Sequence, residues 1–298
     1  MIYLILTILM NIGIFLSFRS YSRMGINTLN AIVINYLVCV LTGIFFYGKS
    51  LLANAYILSE TWILFPIALG AVFVLTFLLM AITTQKYSVA TATVSSKMSM
   101  LIPVIFSIYV FKLVLTKFDL LNFAGLLFGI ASIILCSVKP KVERNTTWSR
   151  KYLLLIPAFV FFSSGLIDTS LNYLNAFIIT SDQKPVLLLI IFASAFISGL
   201  IILILRKEKI HRKDLIGGIY LGIPNYFSLY FLLLTLSIFN NNGAVVYPIL
   251  NVGIIVLSSM ASFLIFNEKL IKLNIIGMVT AVIAIFLISY QDIILYFS

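Results

Sequence analysis

Ten long apolar segments constrain this chain more than any other feature of its sequence. Each holds about 17 or more residues, enough for an α-helix to cross the hydrocarbon core of a bilayer. Their approximate limits are residues 2–18, 26–47, 62–84, 88–111, 120–138, 152–176, 185–205, 215–239, 243–266 and 273–290. Hydrophobic residues make up 62% of the chain and charged residues only 10%, unlike any ordinary soluble domain. Since a chain in lipid must satisfy its own backbone hydrogen bonds, we predict an all-α integral membrane protein with ten transmembrane helices.

The basic residues are concentrated in alternate loops. The loops after segments 1, 3, 5, 7 and 9 carry fifteen of the 20 lysines and arginines. The positive-inside rule predicts that these loops are cytoplasmic and that both termini lie outside. The net charge of +11 is therefore attributed to one membrane face and not to a nucleic-acid partner. Segment 1 has neither a charged start nor a small-residue cleavage site, so we predict a retained helix and not a signal peptide.

The two halves of the chain match each other at a constant offset of 152 positions. Apolar matches alone would be weak, but glycine and polar residues match as well. Examples are Gly13 with Gly165, Gly70 with Gly222, Thr83 with Thr235, Asn122 with Asn274, and Gly125 with Gly277. We predict a first five-helix repeat at 1–138, a basic linker loop at 139–151 and a second repeat at 152–298. Because five is an odd number, the repeats are inverted, which is an architecture of many secondary transporters.

Two charged residues fall well inside the apolar segments. Lys97 lies about 14 Å along segment 4, near the midplane, flanked by Ser95, Ser96 and Ser99. A lysine at that depth costs at least roughly 2.5–3.5 kcal/mol, so it needs water, a counter-charge or a ligand. The plainer alternative is a side chain that snorkels to the headgroups. A polar cavity within the membrane is the better interpretation.

Asp168 is the only acidic residue well inside an apolar segment. Ser164, Asp168, Asn172 and Asn175 share one face of segment 6, because their spacing follows the helical period. Such a stripe faces either a cavity or a polar seam against another helix. An ion pair between Lys97 and Asp168 would need helix tilt or a bridging ligand, since we place Asp168 about 24 Å deep.

Further polar side chains and three prolines interrupt the other segments. Segment 8 contains Pro224-Asn225-Tyr226, and segment 9 contains Tyr247-Pro248 with Asn251 one turn later. Proline within a helix removes a backbone donor and favours a kink. The candidate substrate-binding residues are Lys97, Asp168, Asn172, Asn225, Tyr226, Tyr230, Tyr247, Asn251 and Asn11. The candidate gating residues are Pro103, Pro224 and Pro248.

Other chemistries find no support in the sequence. The single histidine, His211, lies in a basic loop, and Cys39 and Cys136 lie in apolar segments, so no metal-ligand spacing is present. No phosphate-binding glycine loop and no nucleophile–base arrangement occurs, which argues against a nucleotide cofactor and against an enzyme. We expect no cofactor and no bound metal.

The chain resembles the EamA-type branch of the drug/metabolite transporter superfamily over its whole length. The ten segments, the five-plus-five repeat and the turn Asn267-Glu268-Lys269-Leu270 before Gly277 carry the resemblance. In the family this turn commonly begins with glycine, where this chain has Asn267, and continues with glutamate, here Glu268. The first repeat of this chain has Thr116-Lys117 where that glutamate would be. The resemblance implies a secondary transporter with a cavity lined by helices 1, 3, 4, 6, 8 and 9. It also implies cytoplasmic termini, contrary to the charge distribution, which we favour.

The expected function is secondary transport or export of a small polar metabolite by alternating access around a midplane cavity. Lys97 would attract a carboxylate or phosphate, and Asp168 an amine or a coupling proton, so an amino-acid-like zwitterion suits the pair. A flippase or handler of lipid-linked sugars is the alternative, and a channel would need a continuous polar pore. We expect a multi-pass protein of the bacterial inner (plasma) membrane, acting as a monomer or homodimer.

Overall fold

The computed structural model describes residues 2–53, 60–111, 119–136, 150–267 and 270–297. These residues are almost entirely helical, and no strand occurs among them. The helices are α1 (Ile2–Met24), α2 (Thr28–Ala53), α3 (Leu64–Lys86), α4 (Val89–Met98), α5 (Leu101–Ile105), α6 (Leu120–Cys136), α7 (Arg150–Phe177), α8 (Lys184–Arg206), α9 (Arg212–Ile238), α10 (Gly243–Phe266) and α11 (Lys272–Phe297). Single turns precede α3 at Thr61–Ile63 and follow α5 at Phe106–Val110. The all-α prediction is confirmed.

Eight of the described helical stretches are long and apolar enough to cross a membrane. They correspond to α1, α2, α3 and α7 to α11, and their exposed surfaces carry many large apolar side chains. Two further apolar stretches, Val89–Ile105 and Leu120–Cys136, are shorter. This pattern supports a multi-pass membrane protein, because a bilayer replaces water as the solvent of those surfaces.

The predicted fourth segment is not one continuous helix. Ser88 begins α4, since its hydroxyl accepts a hydrogen bond from the Thr91 N–H at 2.9 Å. The helix ends at Met98, and α5 starts at Leu101 after a tight turn. Pro103 has no N–H to reach back four residues, and the Ile102 N–H bonds the Ser99 carbonyl instead, at 3.0 Å. The backbone is therefore interrupted directly after the turn that contains Lys97.

One compact unit comprises Met1–Leu78 and Tyr173–Ile238. Close helix contacts in this unit occur at glycines. An ideal Cβ on Gly70 of α3 would lie 1.8 Å from the Ser194 hydroxyl of α8, and one on Gly222 of α9 would lie 2.9 Å from the Asn35 carbonyl of α2. Lys184, the first residue of α8, is 1% exposed and donates to the Leu233 carbonyl at 3.2 Å. It therefore stabilises the C-terminal end of α9, where a cation is favoured.

The other compact unit comprises Leu79–Asn172 and Phe239–Ser298. In it α6 and α11 pack antiparallel through reciprocal contacts. The Asn122 amide donates to the Leu287 and Ile288 carbonyls of α11, at 3.1 and 2.9 Å. The Asn274 amide donates to the Leu135 and Cys136 carbonyls of α6, at 3.3 and 2.9 Å. The acceptors of Asn274 lie at the end of α6, where carbonyls lack partners within the helix, whereas the acceptors of Asn122 lie inside α11 and gain a second hydrogen bond.

The compact units do not coincide with the predicted repeats. Each unit combines a stretch from the first half of the chain with a stretch from the second half. The boundaries 1–138 and 152–298 describe sequence similarity, which contact clustering does not test, so they stay predictions. Most of the predicted linker at 139–151 lies outside the described residues, as do Glu268 and Lys269 of the family-like turn.

Candidate functional site

The structure brings Lys97 and Asp168 together in the second unit. Lys97 occupies the last turn of α4, and Asp168 lies in the middle of α7. The two side chains are close enough for electrostatic attraction, and both are partly exposed. Opposite charges that attract each other lower the cost of keeping both within apolar helices. The expectation that an ion pair would need helix tilt or a bridging ligand stays a prediction.

Two residues of α10 fix the backbone beside each charge. The Tyr247 hydroxyl donates to the backbone carbonyl of Asp168 at 3.0 Å, and the Asn251 amide donates to that of Lys97 at 2.8 Å. Because they are four residues apart, Tyr247 and Asn251 share one face of α10. The Lys97 carbonyl is accessible because it belongs to the last turn of α4. Both donors were predicted to bind substrate, and in the structure they hold the two charged residues in position.

Small hydroxyl side chains occur on the same two helical segments as the pair. The Ser99 hydroxyl lies 3.5 Å from the Asp168 carboxylate, and the Ser164 hydroxyl lies 3.3 Å from that of Ser96. The buried hydroxyls of Ser95 and Thr169 have no hydrogen-bond partner among the described residues. A buried polar atom left without a partner costs about 1–3 kcal/mol, so these groups are suited to water or a ligand.

Helix α7 approaches the interrupted segment closely enough to bring these groups together. An ideal Cβ on Gly165 would lie 2.3 Å from the Ile102 side chain of α5. The glycine therefore allows the two backbones to approach, three residues before Asp168. Asn172, one turn after Asp168, is fully buried, and its amide lies 3.0 Å from the ideal Cβ position of Gly243. The predicted polar stripe of α7 thus continues into a packed region.

Four other predicted residues lie in the first unit. The Asn225 amide of α9 donates to the Asn35 side chain of α2 at 3.1 Å, and both residues are buried. The Asn11 amide donates to the Thr7 carbonyl of its own helix at 2.9 Å. The remaining two, Tyr226 and Tyr230, stack with ring centroids 6.3 Å apart.

Tyr47 joins these tyrosines and was not singled out from the sequence. Its ring lies 4.8 Å from that of Tyr230 and 6.4 Å from that of Tyr226. It occupies a non-helical kink in α2, with φ −127° and ψ 18°. Its position at the end of a predicted segment suggested an ordinary interfacial anchor. The fully buried Tyr226 hydroxyl has no partner in the part of the chain that the structure covers.

The prolines differ in their local effects. Pro103 coincides with the break between α4 and α5, whereas Pro224 and Pro248 lie inside the continuous helices α9 and α10. Pro224 cannot donate to the Tyr220 carbonyl four residues earlier. That carbonyl lies 3.5 Å from the Ser17 hydroxyl of α1. Gating by any of these prolines stays a prediction.

The described residues contain no group of three or more histidine, cysteine, aspartate or glutamate side chains that could hold a metal ion. Lys97 and Asp168 provide a cationic and an anionic group, and the Ser99 hydroxyl lies 3.5 Å from the carboxylate. Apolar helices around partly exposed charges, with no strand in the described ranges, define the class: a helical membrane protein of the multi-pass type.

Comparison with known proteins supports the fold. A Haemophilus influenzae protein of strain Rd, itself described as uncharacterized, is 25% identical over 293 residues, covering 97% of this chain and 98% of the relative. A protein of known crystal structure superposes with a TM-score of 0.62 at 14% identity, covering 97% of this chain and 98% of that one. At that identity the likeness concerns the fold alone. No profile of a known protein family matches the chain, so membership of the EamA-type transporters stays a prediction.

Proposed function

We propose that this protein is a secondary transporter of small polar metabolites, with ten transmembrane helices arranged as two inverted five-helix repeats. Transport proceeds by alternating access to the site that contains Lys97 and Asp168. The amine and carboxyl groups of an amino-acid-like solute match the two protein charges. A bacterial inner membrane is the proposed location, and the short stretches Val89–Ile105 and Leu120–Cys136 are counted as the fourth and fifth spans of the first repeat.

The main support for the proposed transport function is the Lys97–Asp168 pair. Ionisable residues inside membrane helices are costly and mark solute or ion pathways. A purely structural pair would be sealed, whereas these two side chains are partly exposed. The break in the helix after Met98 adds support, because interrupted helices commonly surround the binding sites of secondary transporters.

The reciprocal asparagines support the inverted repeat. Asn122 and Asn274 differ by 152 positions, and so do their acceptors, Leu135 with Leu287 and Cys136 with Ile288. The glycines follow the same relation: an ideal Cβ on Gly125 would meet Leu287 and Ile288, and one on Gly277 would meet Leu135 and Cys136. A local two-fold relation at the offset of the sequence match is what duplication followed by inversion predicts.

Transport is tested with purified protein in liposomes preloaded with a defined mixture of amino acids, sugar phosphates and nucleosides. Efflux is measured by mass spectrometry for the wild type, Lys97→Ala and Asp168→Asn. We expect each substitution to lower efflux of the transported solute by at least about tenfold, equivalent to 1.4 kcal/mol. Lys272→Gln, which removes an exposed charge at the start of α11, is the matched control and keeps wild-type efflux. Equal efflux by all four proteins would refute the assigned roles.

One observation favours the lipid-handling alternative. An apolar groove of about 480 Å³ runs along α10 and α11, where Met260 and Phe263 face Met278 and Val282. Apart from Ser259 its lining is apolar, which suits an acyl chain better than a polar solute. Fluorescent phospholipid in the same liposomes distinguishes the two functions. Movement of the phospholipid between leaflets without efflux of any polar solute would favour a flippase.

A further inference from the structure

A strongly basic surface of the first unit comprises the connection between α8 and α9 and the adjoining helix ends, residues 206–213, which we call the basic loop. Helix α8 has 23 residues, about 34 Å, so its ends reach both boundaries of a 30 Å hydrocarbon core. The basic loop therefore stands at the level of the lipid headgroups. Every one of its residues is exposed. Its cations are Arg206, Lys207, Lys209, Arg212 and Lys213.

A buried carboxylate fixes the basic loop against the start of α2. Asp214 is 1% exposed and accepts hydrogen bonds from the Asn27 N–H at 2.8 Å, the Asn30 amide at 2.8 Å and the His211 N–H at 3.0 Å. The Asn30 amide also donates to the Lys209 carbonyl at 2.9 Å. These bonds hold both the middle and the end of the loop, so its cations are presented on a preformed backbone.

The two acidic side chains in and beside the basic loop both accept hydrogen bonds from protein groups. Asp214 is buried within the hydrogen bonds just described, and the Glu208 carboxylate accepts a hydrogen bond from the Asn27 side chain at 3.0 Å. Lys207 has a left-handed backbone, with φ 54°, and ends α8. In this turn Lys207 and Lys209 lie on either side of Glu208, and both side chains are exposed. The surface that remains is strongly positive.

We propose that the basic loop is a binding site for the headgroups of anionic phospholipids. Lysine and arginine bind phosphate through charge-assisted hydrogen bonds, and a cluster beside a membrane helix attracts acidic lipid. The position of the loop at the membrane boundary favours a lipid phosphate over a soluble one. The site does not depend on the proposed transport function, and it assigns the loop to a leaflet that contains acidic lipid.

The test uses full-length protein reconstituted in phosphatidylcholine with spin-labelled phosphatidylglycerol or spin-labelled phosphatidylcholine. Electron paramagnetic resonance measures how strongly the protein immobilises each lipid. We expect a preference for phosphatidylglycerol of roughly fivefold for each engaged cation, falling towards unity in 1 M NaCl because salt screens the attraction. The variant with Lys207, Lys209, Arg212 and Lys213 changed to glutamine keeps only Arg206, so its preference falls to roughly fivefold or less.

Two controls separate a built site from net charge. A matched variant changes Lys139, Lys141, Arg144 and Lys151 to glutamine, which removes the same number of charges, and it keeps the preference. Asn30→Ala removes no charge but loosens the loop, and it lowers the preference several-fold. Thermal unfolding in detergent verifies that each variant folds.

Three results would overturn the proposal. An equal loss in both charge variants would mean that net charge alone attracts the lipid. An unchanged preference in the variant of the basic loop would place the binding elsewhere. Full competition by 10 mM inorganic phosphate would identify a site for soluble anions. None of these outcomes bears on efflux, so the proposed transport function is judged separately.

Discussion

The reciprocal asparagine contacts allow a quantitative test of the two-fold relation between α6 and α11. Asn122→Ala removes two amide bonds to α11 and one bond accepted from the Asp119 N–H, at 3.1, 2.9 and 2.7 Å. Asn274→Ala removes two bonds to α6 and one accepted from the Ile271 N–H, at 3.3, 2.9 and 3.3 Å. Hydrogen bonds between membrane helices contribute about 0.6 kcal/mol each on average. Each substitution should therefore lower the free energy of unfolding by about 1–2 kcal/mol.

The decisive quantity is the ratio of the two losses. Equivalent positions should lose nearly equal stability, with Asn122→Ala slightly the costlier because its bonds are shorter. Reversible unfolding by sodium dodecyl sulfate in mixed micelles measures both losses. Thr280→Ala on α11 is the matched control, because its hydroxyl bonds only the Ile276 carbonyl of its own helix at 2.8 Å. A large loss for one asparagine, together with a loss for the other no greater than that of the control, would refute the reasoning.

Three further predictions concern packing, acid stability and the position of the charge pair. Gly70→Ala should lower the free energy of unfolding by about 1–3 kcal/mol, because the new methyl group overlaps backbone atoms of α8. Thermal unfolding measures the loss. Gly48→Ala is the control, because its methyl group enters open space. The hydrogen bond from the Tyr290 hydroxyl, with those from backbone N–H groups, holds the pKa of Asp119 below its ordinary value of 3.8. The contribution of the ionised Asp119 to stability is complete above pH 3.8 and is lost as the pH falls through the lower pKa of the folded protein. Tyr290→Phe should therefore flatten the acid side of a profile of stability against pH. An unchanged profile would contradict this prediction. Asn251→Ala should cost only about 0.6 kcal/mol of stability yet lower efflux about tenfold, because the carbonyl at the end of α4 loses its support; equal stability and efflux effects would contradict this.

The hydropathy of the sequence predicted where helices form but not where they are interrupted. Apolar residues continue through the break after Met98, so only Pro103 indicated it. The bends expected from Pro224 and Pro248 do not interrupt α9 and α10. A proline frees one carbonyl, and whether the helix continues depends on which neighbours satisfy that carbonyl. This information is tertiary and is not contained in the local sequence.

The residues of the candidate site were recognisable by type, whereas their contacts were not. Polar residues in apolar segments identified Lys97, Asp168, Tyr247 and Asn251 from their cost in lipid. Whether an amide binds a solute or a backbone carbonyl depends on how two helices cross, and α10 happens to cross beside both charges. Tyr47 was missed because tyrosines at helix ends are common at membrane interfaces. The kink that turns it towards Tyr230 became visible only in three dimensions.

The attachment of two oppositely charged residues to one face of α10 has a mechanical consequence. Tyr247 donates a hydrogen bond to the backbone carbonyl of Asp168, and Asn251 donates one to that of Lys97. The positions of the two charged residues therefore depend on a single helix, and a substitution that displaced α10 would disturb the support of Lys97 and Asp168 together.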